Sequence, residues 1–176
     1  DIVLHSATKY LAGHNDVLAG VVVTNSLELY EQLFYNLNTT GAVLSPFDSY
    51  QLIRGLKTLS LRMERSTANA REIVAYLKGS PAVKEVLYTG RGGMISFKVA
   101  DESRIPHILN SLKVFSFAES LGGVESLITY PTTQTHADIP AEVRHSYGLT
   151  DDLLRLSIGI EDARDLIADL RQALEG

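Results

Sequence analysis

Lys9 is the residue of this sequence whose neighbours most favour chemistry. It follows an apolar run at residues 2–4, and Ser6 and Thr8 lie within three positions of it. A primary amine on a flexible stem can form an imine with an aldehyde, release it to a competing amine and then transfer protons. The two hydroxyls are close enough along the chain to bind a phosphate of the same ligand. A lone lysine after a strand is otherwise a solvated loop charge, and only a wider motif distinguishes the two interpretations.

Residues 1–15 supply that wider motif, with the sequence Asp-Ile-Val-Leu-His-Ser-Ala-Thr-Lys-Tyr-Leu-Ala-Gly-His-Asn. The stretch resembles the cofactor-attachment signature of the enzymes of cysteine and methionine metabolism that depend on pyridoxal 5'-phosphate (PLP). Ser-x-Thr-Lys alone is a weak signal, and the continuation Thr-Lys-Tyr-Leu-x-Gly-His makes it specific. The resemblance implies that Lys9 binds PLP as a Schiff base and is the catalytic residue, while Ser6 and Thr8 bind the phosphate.

Two later segments resemble the parts of these enzymes that bind the substrate carboxylate. Residues 117–126, Phe-Ala-Glu-Ser-Leu-Gly-Gly-Val-Glu-Ser, imply this role for Ser120, and residues 154–162, Leu-Arg-Leu-Ser-Ile-Gly-Ile-Glu-Asp, imply it for Arg155. A planar guanidinium forms two parallel hydrogen bonds with a carboxylate. An arginine in an apolar run also needs a partner, because a buried unpaired charge is unfavourable. An internal salt bridge to a glutamate is the alternative for Arg155.

Glu119 bears on the reaction within the family. By resemblance, glutamate here is typical of γ-synthases and γ-lyases, and its carboxylate could bind the distal amino group of cystathionine. The resemblance therefore implies a trans-sulfuration enzyme, cystathionine γ-synthase, in which cysteine replaces the acyl group of an O-acylhomoserine. The alternatives are a cystathionine β- or γ-lyase, an O-acylhomoserine sulfhydrylase and, from another class, an α/β interaction module without a cofactor.

Composition and charge argue against several other classes. The 176 residues carry a net charge of −5 and no cysteine, so nucleic-acid binding, disulfides and thiolate metal sites are not expected. The histidines form no metal-binding motif, and no metal site is predicted. The most apolar stretch, residues 17–23, is far shorter than the roughly 20 residues of a membrane span. We expect a soluble, cytoplasmic protein.

The hydrophobic pattern predicts an α/β protein. Residues 2–4 and 17–24 are predicted as buried strands, the first of them parallel. Ser45 and Pro46 predict a helix start, with possible bends near Gly55 and Ser60 and an end at Gly79. Further strands are predicted at 83–88, 94–99, 114–118 and 153–160, and further helices at 27–37, at 105–112 and from about residue 162.

The resemblance implies a fold-type I PLP-dependent transferase. Residues 1–45 would be the end of the large PLP domain, residues 46–78 a connecting helical region and residues 79–176 the smaller C-terminal α/β domain. Such enzymes form tetramers of tight dimers with active sites at the dimer interface, which predicts a homo-oligomer.

The chain starts in a predicted strand and without methionine, which predicts that it is part of a longer protein. In the family an aspartate that pairs with the pyridinium nitrogen, a tyrosine that stacks on the ring and a Gly-rich phosphate-binding turn all precede the lysine. None of these lies in residues 1–176, so we expect the isolated chain to be inactive.

Overall fold

The computed structural model describes all 176 residues, which divide into two compact units, Asp1–Leu59 and Ser60–Gly176. The division falls inside the region predicted to connect two domains, residues 46–78. The predicted domain limits remain predictions. Helices and strands occur in both units, so the predicted α/β class is confirmed. No helix combines the length and the apolar character needed to span a bilayer.

The first unit contains two strands and two α-helices. They are β1 (Ile2–Ser6), β2 (Gly20–Thr24), α1 (Leu27–Thr40) and α2 (Pro46–Leu56), with a π-helical segment, Ala7–Leu11, after β1. β1 and β2 pair antiparallel, with Ile2 opposite Thr24 and Ser6 opposite Gly20. The prediction of a parallel strand at residues 2–4 is therefore wrong, because an apolar run favours a strand without specifying the direction of its neighbour.

The predicted burial of these two strands is also wrong. All five residues of β1 are exposed, and three of the five in β2 are exposed. A two-stranded ribbon gives each strand one neighbour and no covering layer, so its apolar side chains stay in contact with water. The run predicted from residue 17 becomes a strand only at Gly20, and Val17 is buried instead in a small core with Ala7, Ala12 and Leu52.

Local capping accounts for the limits of the helices in this unit. Ser26 begins α1 by accepting a hydrogen bond from a backbone amide at 3.3 Å, and Gly41 ends it with a φ of 69°. The Ser45 hydroxyl accepts a hydrogen bond from the Asp48 amide at 3.0 Å, and Pro46 occupies the first turn of α2. The predicted helix start at Ser45 is confirmed.

The second unit is built on a five-stranded sheet with helices between its strands. Its elements are α3 (Leu59–Gly79), β3 (Val83–Leu87), β4 (Met94–Val99), α4 (Ile105–Ser111), β5 (Ser116–Phe117), β6 (Leu127–Thr129), α5 (Ala141–Ser146), β7 (Leu153–Ser157) and α6 (Ala163–Glu175). The strand order is β3-β4-β7-β6-β5. The β5–β6 pair is parallel, and the other neighbours are antiparallel.

Most elements of the second unit agree with the sequence prediction. The predicted helix end at Gly79 is confirmed, and the predicted bend is a break between α2 and α3 at residues 57–58. β5 covers only two of the residues predicted at 114–118, and β7 ends at Ser157 rather than at Ile160. β6 and α5 were not predicted, because each is too short to show a periodic pattern.

One continuous cluster of buried side chains forms the core of the second unit. It joins α3, α4 and α6 to the sheet, and its members include Ile73, Phe97, Ile108, Leu156 and Leu170. β7 lies between β4 and β6, so its backbone is hydrogen-bonded on both sides. Four of its five residues are buried, and the half-buried one is Arg155. The sheet therefore fixes the backbone of Arg155 firmly.

Candidate active site

Lys9 lies in the π-helical segment that follows β1. Its φ and ψ of −94° and −128° are non-helical and kink the segment at this residue. The carbonyl of Lys9 accepts a hydrogen bond from the Gly13 amide at 2.8 Å, and the carbonyl of Ala7 accepts one from the Ala12 amide at 2.9 Å. The side chain of Lys9 is half-buried. Backbone bonds on both sides therefore fix the position from which the amine extends.

Helix α2 packs tightly against the chain just after Lys9. Ala12 is buried with Leu52 of this helix, and a Cβ on Gly55 would overlap the carbonyl oxygen of Ala12. Nδ1 of His14 lies 2.8 Å from the same oxygen. We refer to residues 6–14 as the lysine loop. The small core of the first unit holds this loop in place.

Ser6 and Thr8 both precede the kink at Lys9, and their hydroxyls differ in their partners. Ser6 is exposed, and its side chain forms no capping hydrogen bond to the following segment. The Thr8 hydroxyl donates to the carbonyl of Ala19 at 3.3 Å and accepts from the Ala19 amide at 3.0 Å. Its one hydrogen is therefore directed at Ala19. A phosphate could accept from Ser6 directly and from Thr8 after the bond to the Ala19 carbonyl is exchanged.

These residues fit a cofactor with an aldehyde and a phosphate. The amine of Lys9 can form an imine, and the two hydroxyls can donate to phosphate oxygens. The backbone around the lysine is already fixed, so binding would not require the loop to refold. Three or more side chains that could bind a metal ion do not cluster anywhere in the chain.

In the second unit, the guanidinium of Arg155 has only some of its hydrogen-bond donors paired within the chain. Its Nη2 donates to the Ser120 carbonyl and to the Thr129 hydroxyl, both at 3.1 Å. Its Nε is buried and has no hydrogen-bond partner. None of the ion pairs of the chain involves Arg155, so the alternative of an internal salt bridge is not observed. A guanidinium with a buried free donor is suited to bind an additional acceptor.

Electrostatics at Arg155 reflect this burial. Desolvation lowers the pKa of its guanidinium from the ordinary value, and the negative charge of Glu119 partly offsets that effect. Glu119 itself is exposed. The effect indicates that the charges of Glu119 and Arg155 lie near each other.

Ser120 adopts a backbone conformation that side chains rarely take. It lies between β5 and β6 with a φ of 83°, in a region that favours glycine. Such a residue costs about 1–3 kcal/mol and is kept only where the surroundings determine its conformation. The hydrogen bond from Arg155 to the Ser120 carbonyl is one such constraint. The strained residue and the arginine therefore hold each other in place.

Thr129 belongs to this site and was not assigned a role from the sequence. Its hydroxyl accepts from Arg155 and donates to the Ala118 carbonyl at 2.9 Å, so it joins the strand to the segment that carries Ser120. A buried threonine in a short strand beside the arginine strand is the signal that could have indicated it. That signal is visible only once the pairing of β6 and β7 is known.

The structure groups the predicted site residues into two sets. Ser6, Thr8 and Lys9 lie together in the first unit, and Glu119, Ser120 and Arg155 lie together in the second. The first set has the chemistry of an aldehyde and phosphate site. The second has the chemistry of a carboxylate site.

A family model and curated relatives match nearly the whole chain. The family model described as Cys/Met metabolism PLP-dependent enzyme matches residues 1–175. The chain is 57% identical over 174 residues to the cystathionine gamma-synthase/O-acetylhomoserine (thiol)-lyase of Bacillus subtilis (strain 168), which covers 99% of the chain and 47% of that protein. It is 52% identical over 191 residues to the cystathionine gamma-lyase of the same organism, covering 99% and 50%.

A solved structure gives the same result. The crystal structure of cystathionine gamma synthase from Xanthomonas oryzae pv. oryzae matches with a TM-score of 0.94 and 44% identity, covering 99% of this chain and 50% of that one. The chain thus spans about half the length of the relatives that it matches. The family match extends through both units, with Lys9 and Arg155 included. The chain belongs to the family of Cys/Met metabolism PLP-dependent enzymes.

Proposed function

We propose that the protein containing this chain is a PLP-dependent trans-sulfuration enzyme, and specifically a cystathionine γ-synthase. In this reaction the sulfur of cysteine replaces the acyl group on the γ-carbon of an O-acylhomoserine. Family membership supports the class of enzyme, and the similarity to the Bacillus subtilis γ-synthase supports the reaction. A cytoplasmic location and a homotetrameric assembly remain predictions.

The observation that carries this proposal is the buried Nε of Arg155, which has no partner within the chain. A buried donor without an acceptor is unfavourable, and a substrate carboxylate would satisfy it. The bond from Nη2 to the Ser120 carbonyl already orients the plane of the guanidinium. Arg155 would therefore bind and orient the α-carboxylate of the amino acid, with Ser120 as its neighbour in the same contact.

Lys9 would bind the cofactor and move protons. When bound, PLP supplies an aldehyde that condenses with amines and a ring that withdraws electrons from the attached carbon. The Nζ of Lys9 would take the proton from Cα of the substrate and later return protons to its carbon chain. Ser6 and Thr8 would donate hydrogen bonds to the phosphate, with Thr8 exchanging its bond to the Ala19 carbonyl.

Cystathionine lyase activity is the second candidate, supported by the similarity to the Bacillus subtilis γ-lyase. Lysine, arginine and serine would serve both reactions, since both begin with the same proton transfer from Cα. Glu119 would bind a distal ammonium group in either case. Parallel assays of the full-length enzyme separate them: O-acetylhomoserine with cysteine measures the synthase, O-acetylhomoserine with sulfide the sulfhydrylase, and cystathionine alone the lyase.

Borohydride trapping tests the cofactor site. Reduction of the full-length enzyme with PLP bound should attach the cofactor covalently to the peptide that contains Lys9, as read by mass spectrometry. The label should disappear in Lys9→Ala and persist in Lys57→Ala, which removes an exposed lysine of the same unit. Labelling of a different lysine, or none in the unaltered enzyme, would contradict the proposal. The isolated 176-residue chain should show no turnover.

A further inference from the structure

The segment that carries Ser120 is bonded to the chain around β7 at every second residue. Residues 120, 122, 124 and 126 each form hydrogen bonds with residues 155–161. The bonds are Arg155 Nη2 to the Ser120 carbonyl at 3.1 Å, the Gly122 amide to Ser157 Oγ at 2.8 Å, the Ile160 amide to the Val124 carbonyl at 2.9 Å, and those of Ser126. We call this set the loop ladder. It resembles strand pairing but uses side chains at three of its four positions, 120, 122 and 126.

Ser126 and Glu161 form the last and most connected step of the loop ladder. One carboxylate oxygen of Glu161 accepts from the Ser126 amide at 2.6 Å, and the other accepts from the Ser126 hydroxyl at 2.8 Å. The same hydroxyl accepts from the Gly159 amide at 2.9 Å. Ser126 is fully buried. Both oxygens of the carboxylate are thus committed to one residue of the loop.

The backbone that presents Glu161 is itself fixed. The side-chain amide of Asn69, a buried residue of α3, donates to the carbonyls of Gly159 and Glu161 at 3.2 and 2.8 Å. A Cβ on Gly159 would overlap the Val124 carbonyl oxygen, so only glycine permits this approach. The end of the loop ladder is therefore attached to the core helix, not merely to another loop.

The opposite end of the loop ladder is the substrate site. Ser120 is held at a positive φ, and a strained residue keeps its conformation only when the flanking backbone is constrained. Arg155 constrains it from one side. The steps at residues 122, 124 and 126 constrain it from the other side, and Glu161 closes the last of them. Loss of the bonds between Glu161 and Ser126 would loosen residues 121–126, which belong to no strand, and so remove one constraint on Ser120.

We infer that Glu161 and Ser126 are positioning residues for substrate recognition. Through the loop ladder they set the places of Glu119 and Ser120 next to Arg155, although neither is expected to touch the substrate. This inference rests on the proposed function, in which Ser120 and Arg155 bind the substrate carboxylate. It adds to that function an indirect effect on substrate affinity. The carboxylate of Glu161 would act through its hydrogen bonds to Ser126, six residues from Ser120 along the chain.

Kinetics of the full-length enzyme with PLP test the inference. Glu161→Ala should raise KM for O-acetylhomoserine about tenfold, because weakening one charge-assisted hydrogen bond to the substrate carboxylate has an effect of that order. We expect kcat to change by less than about threefold. Glu161→Gln should give an intermediate KM, because its amide oxygen can accept from the Ser126 amide and its amino group can donate to the Ser126 hydroxyl. Glu64→Ala, which removes an exposed carboxylate of α3, should leave KM unchanged.

Hydrogen exchange supplies the structural readout. The amides of Gly122 and Ser126 should exchange faster in Glu161→Ala, whereas those of β4 should keep their protection. If Glu161→Ala does not fold, Glu161→Gln and Ser126→Ala provide the same comparison. The inference would be overturned if variants that fold kept the KM of the unaltered enzyme. A fall of kcat by about tenfold with KM constant would also overturn it.

The outcomes separate this inference from the function on which it rests. Borohydride labelling of Lys9 should stay complete in every Glu161 variant, since none of them alters the lysine loop. An unaltered enzyme that neither labels nor turns over would overturn both proposals. An active unaltered enzyme whose Glu161 variants retain its KM would overturn this one alone.

Discussion

The two units of the chain differ sharply in how they treat apolar side chains. In Ser60–Gly176 seventeen buried side chains form one core cluster, whereas the cluster of Asp1–Leu59 has four. Sixteen of the twenty-three exposed large hydrophobic side chains lie in the first unit, although it is the smaller of the two. The second unit packs most of its large hydrophobic side chains into or against its own core, and the first unit leaves most of its own exposed.

This difference shows that the lysine loop is well fixed inside a unit with a small core. The lysine loop is held by backbone bonds and by tight packing of α2, yet β1 and α1 expose most of their apolar side chains. Large exposed apolar faces are typical of surfaces that contact other polypeptide. Local order around Lys9 and overall stability of the unit are therefore separate properties and can be tested separately.

A matched pair of phenylalanines gives the largest expected contrast. Phe97 of β4 is fully buried, whereas Phe34 of α1 is 55% exposed. Phe97→Ala should lower the free energy of unfolding of the second unit by about 3–5 kcal/mol, because it opens a cavity in a close-packed core. Phe34→Ala should change that of the first unit by less than about 1 kcal/mol. Native-state hydrogen exchange of the amides in β4 and α1 measures the two units independently.

An equal loss at both positions would break the comparison. It would mean that the apolar face of the first unit is covered in solution. Repeating the Phe34→Ala measurement over a range of protein concentrations would then show whether other copies of the chain provide the cover, because self-association makes stability depend on concentration.

A pair of glycines sharpens the comparison, because here the two units should behave alike. A Cβ on Gly159 would overlap the Val124 carbonyl oxygen, and one on Gly55 would overlap that of Ala12. Each change to alanine should lower the free energy of unfolding by about 1–3 kcal/mol through overpacking. Gly79→Ala is the control, since a Cβ there meets no atom within 4 Å and alanine favours a helix. Chemical denaturation measures all three.

Should Gly55→Ala resemble Gly79→Ala, the lysine loop would be less tightly packed than its contacts indicate. Local order around Lys9 would then be as weak as the rest of its unit. A loss at Gly55 comparable to that at Gly159 would instead support separate control of loop order and overall stability.

Acid should distinguish the helix starts of the two units, with the smallest expected effect. Asp162 caps α6, and hydrogen bonds from the side chain and backbone of Arg164 lower its pKa from 3.8 to about 2. Because the folded pKa is depressed, the cap stabilises the helix above pH 3.8, and this contribution is lost as the pH falls through about 2. The Ser26 cap of α1 does not titrate in this range.

NMR titration provides the measurement. The carboxyl signal of Asp162 should move near pH 2, and the first-turn amides of α6 should shift with it. In Asp162→Asn the cap can still accept a hydrogen bond but does not titrate, so those amide shifts should be absent. A midpoint near 3.8 would show that Arg164 does not bind the carboxylate in solution.

Local signals in the sequence predicted much of the fold. Ser45 with Pro46 and the Gly79 terminus set helix limits through contacts within one turn, so a short stretch of sequence contains the information. The direction and exposure of β1 depend on β2 and on what covers them, which no apolar run records. β6 was missed for a different reason, because three residues are too few to show an alternating hydrophobic pattern.

The residues of the candidate site likewise fall into those that a local sequence motif identifies and those whose contacts only the fold reveals. Lys9, Ser6 and Thr8 are neighbours in sequence, and a motif of fifteen residues identified them. Thr129, Ser126 and Glu161 act through partners 26 to 35 residues away, so their contacts appear only with the strand order of the sheet. The unpaired Nε of Arg155 was likewise not visible in the sequence, which left the salt bridge open as an alternative.

The two-residue spacing of the loop ladder limits which mutations the segment can accept. Even-numbered positions from 120 to 126 carry the bonds, whereas Glu119 and Glu125 at odd positions are exposed. Deletion or insertion of a single residue within the segment would shift the register of the steps on one side of the change. Replacement at position 119 leaves the frame intact. Under the proposed function, substitution at position 119 could therefore alter the contact with substrate, whereas a change in loop length would also disturb the hydrogen bonds that hold Ser120 in place.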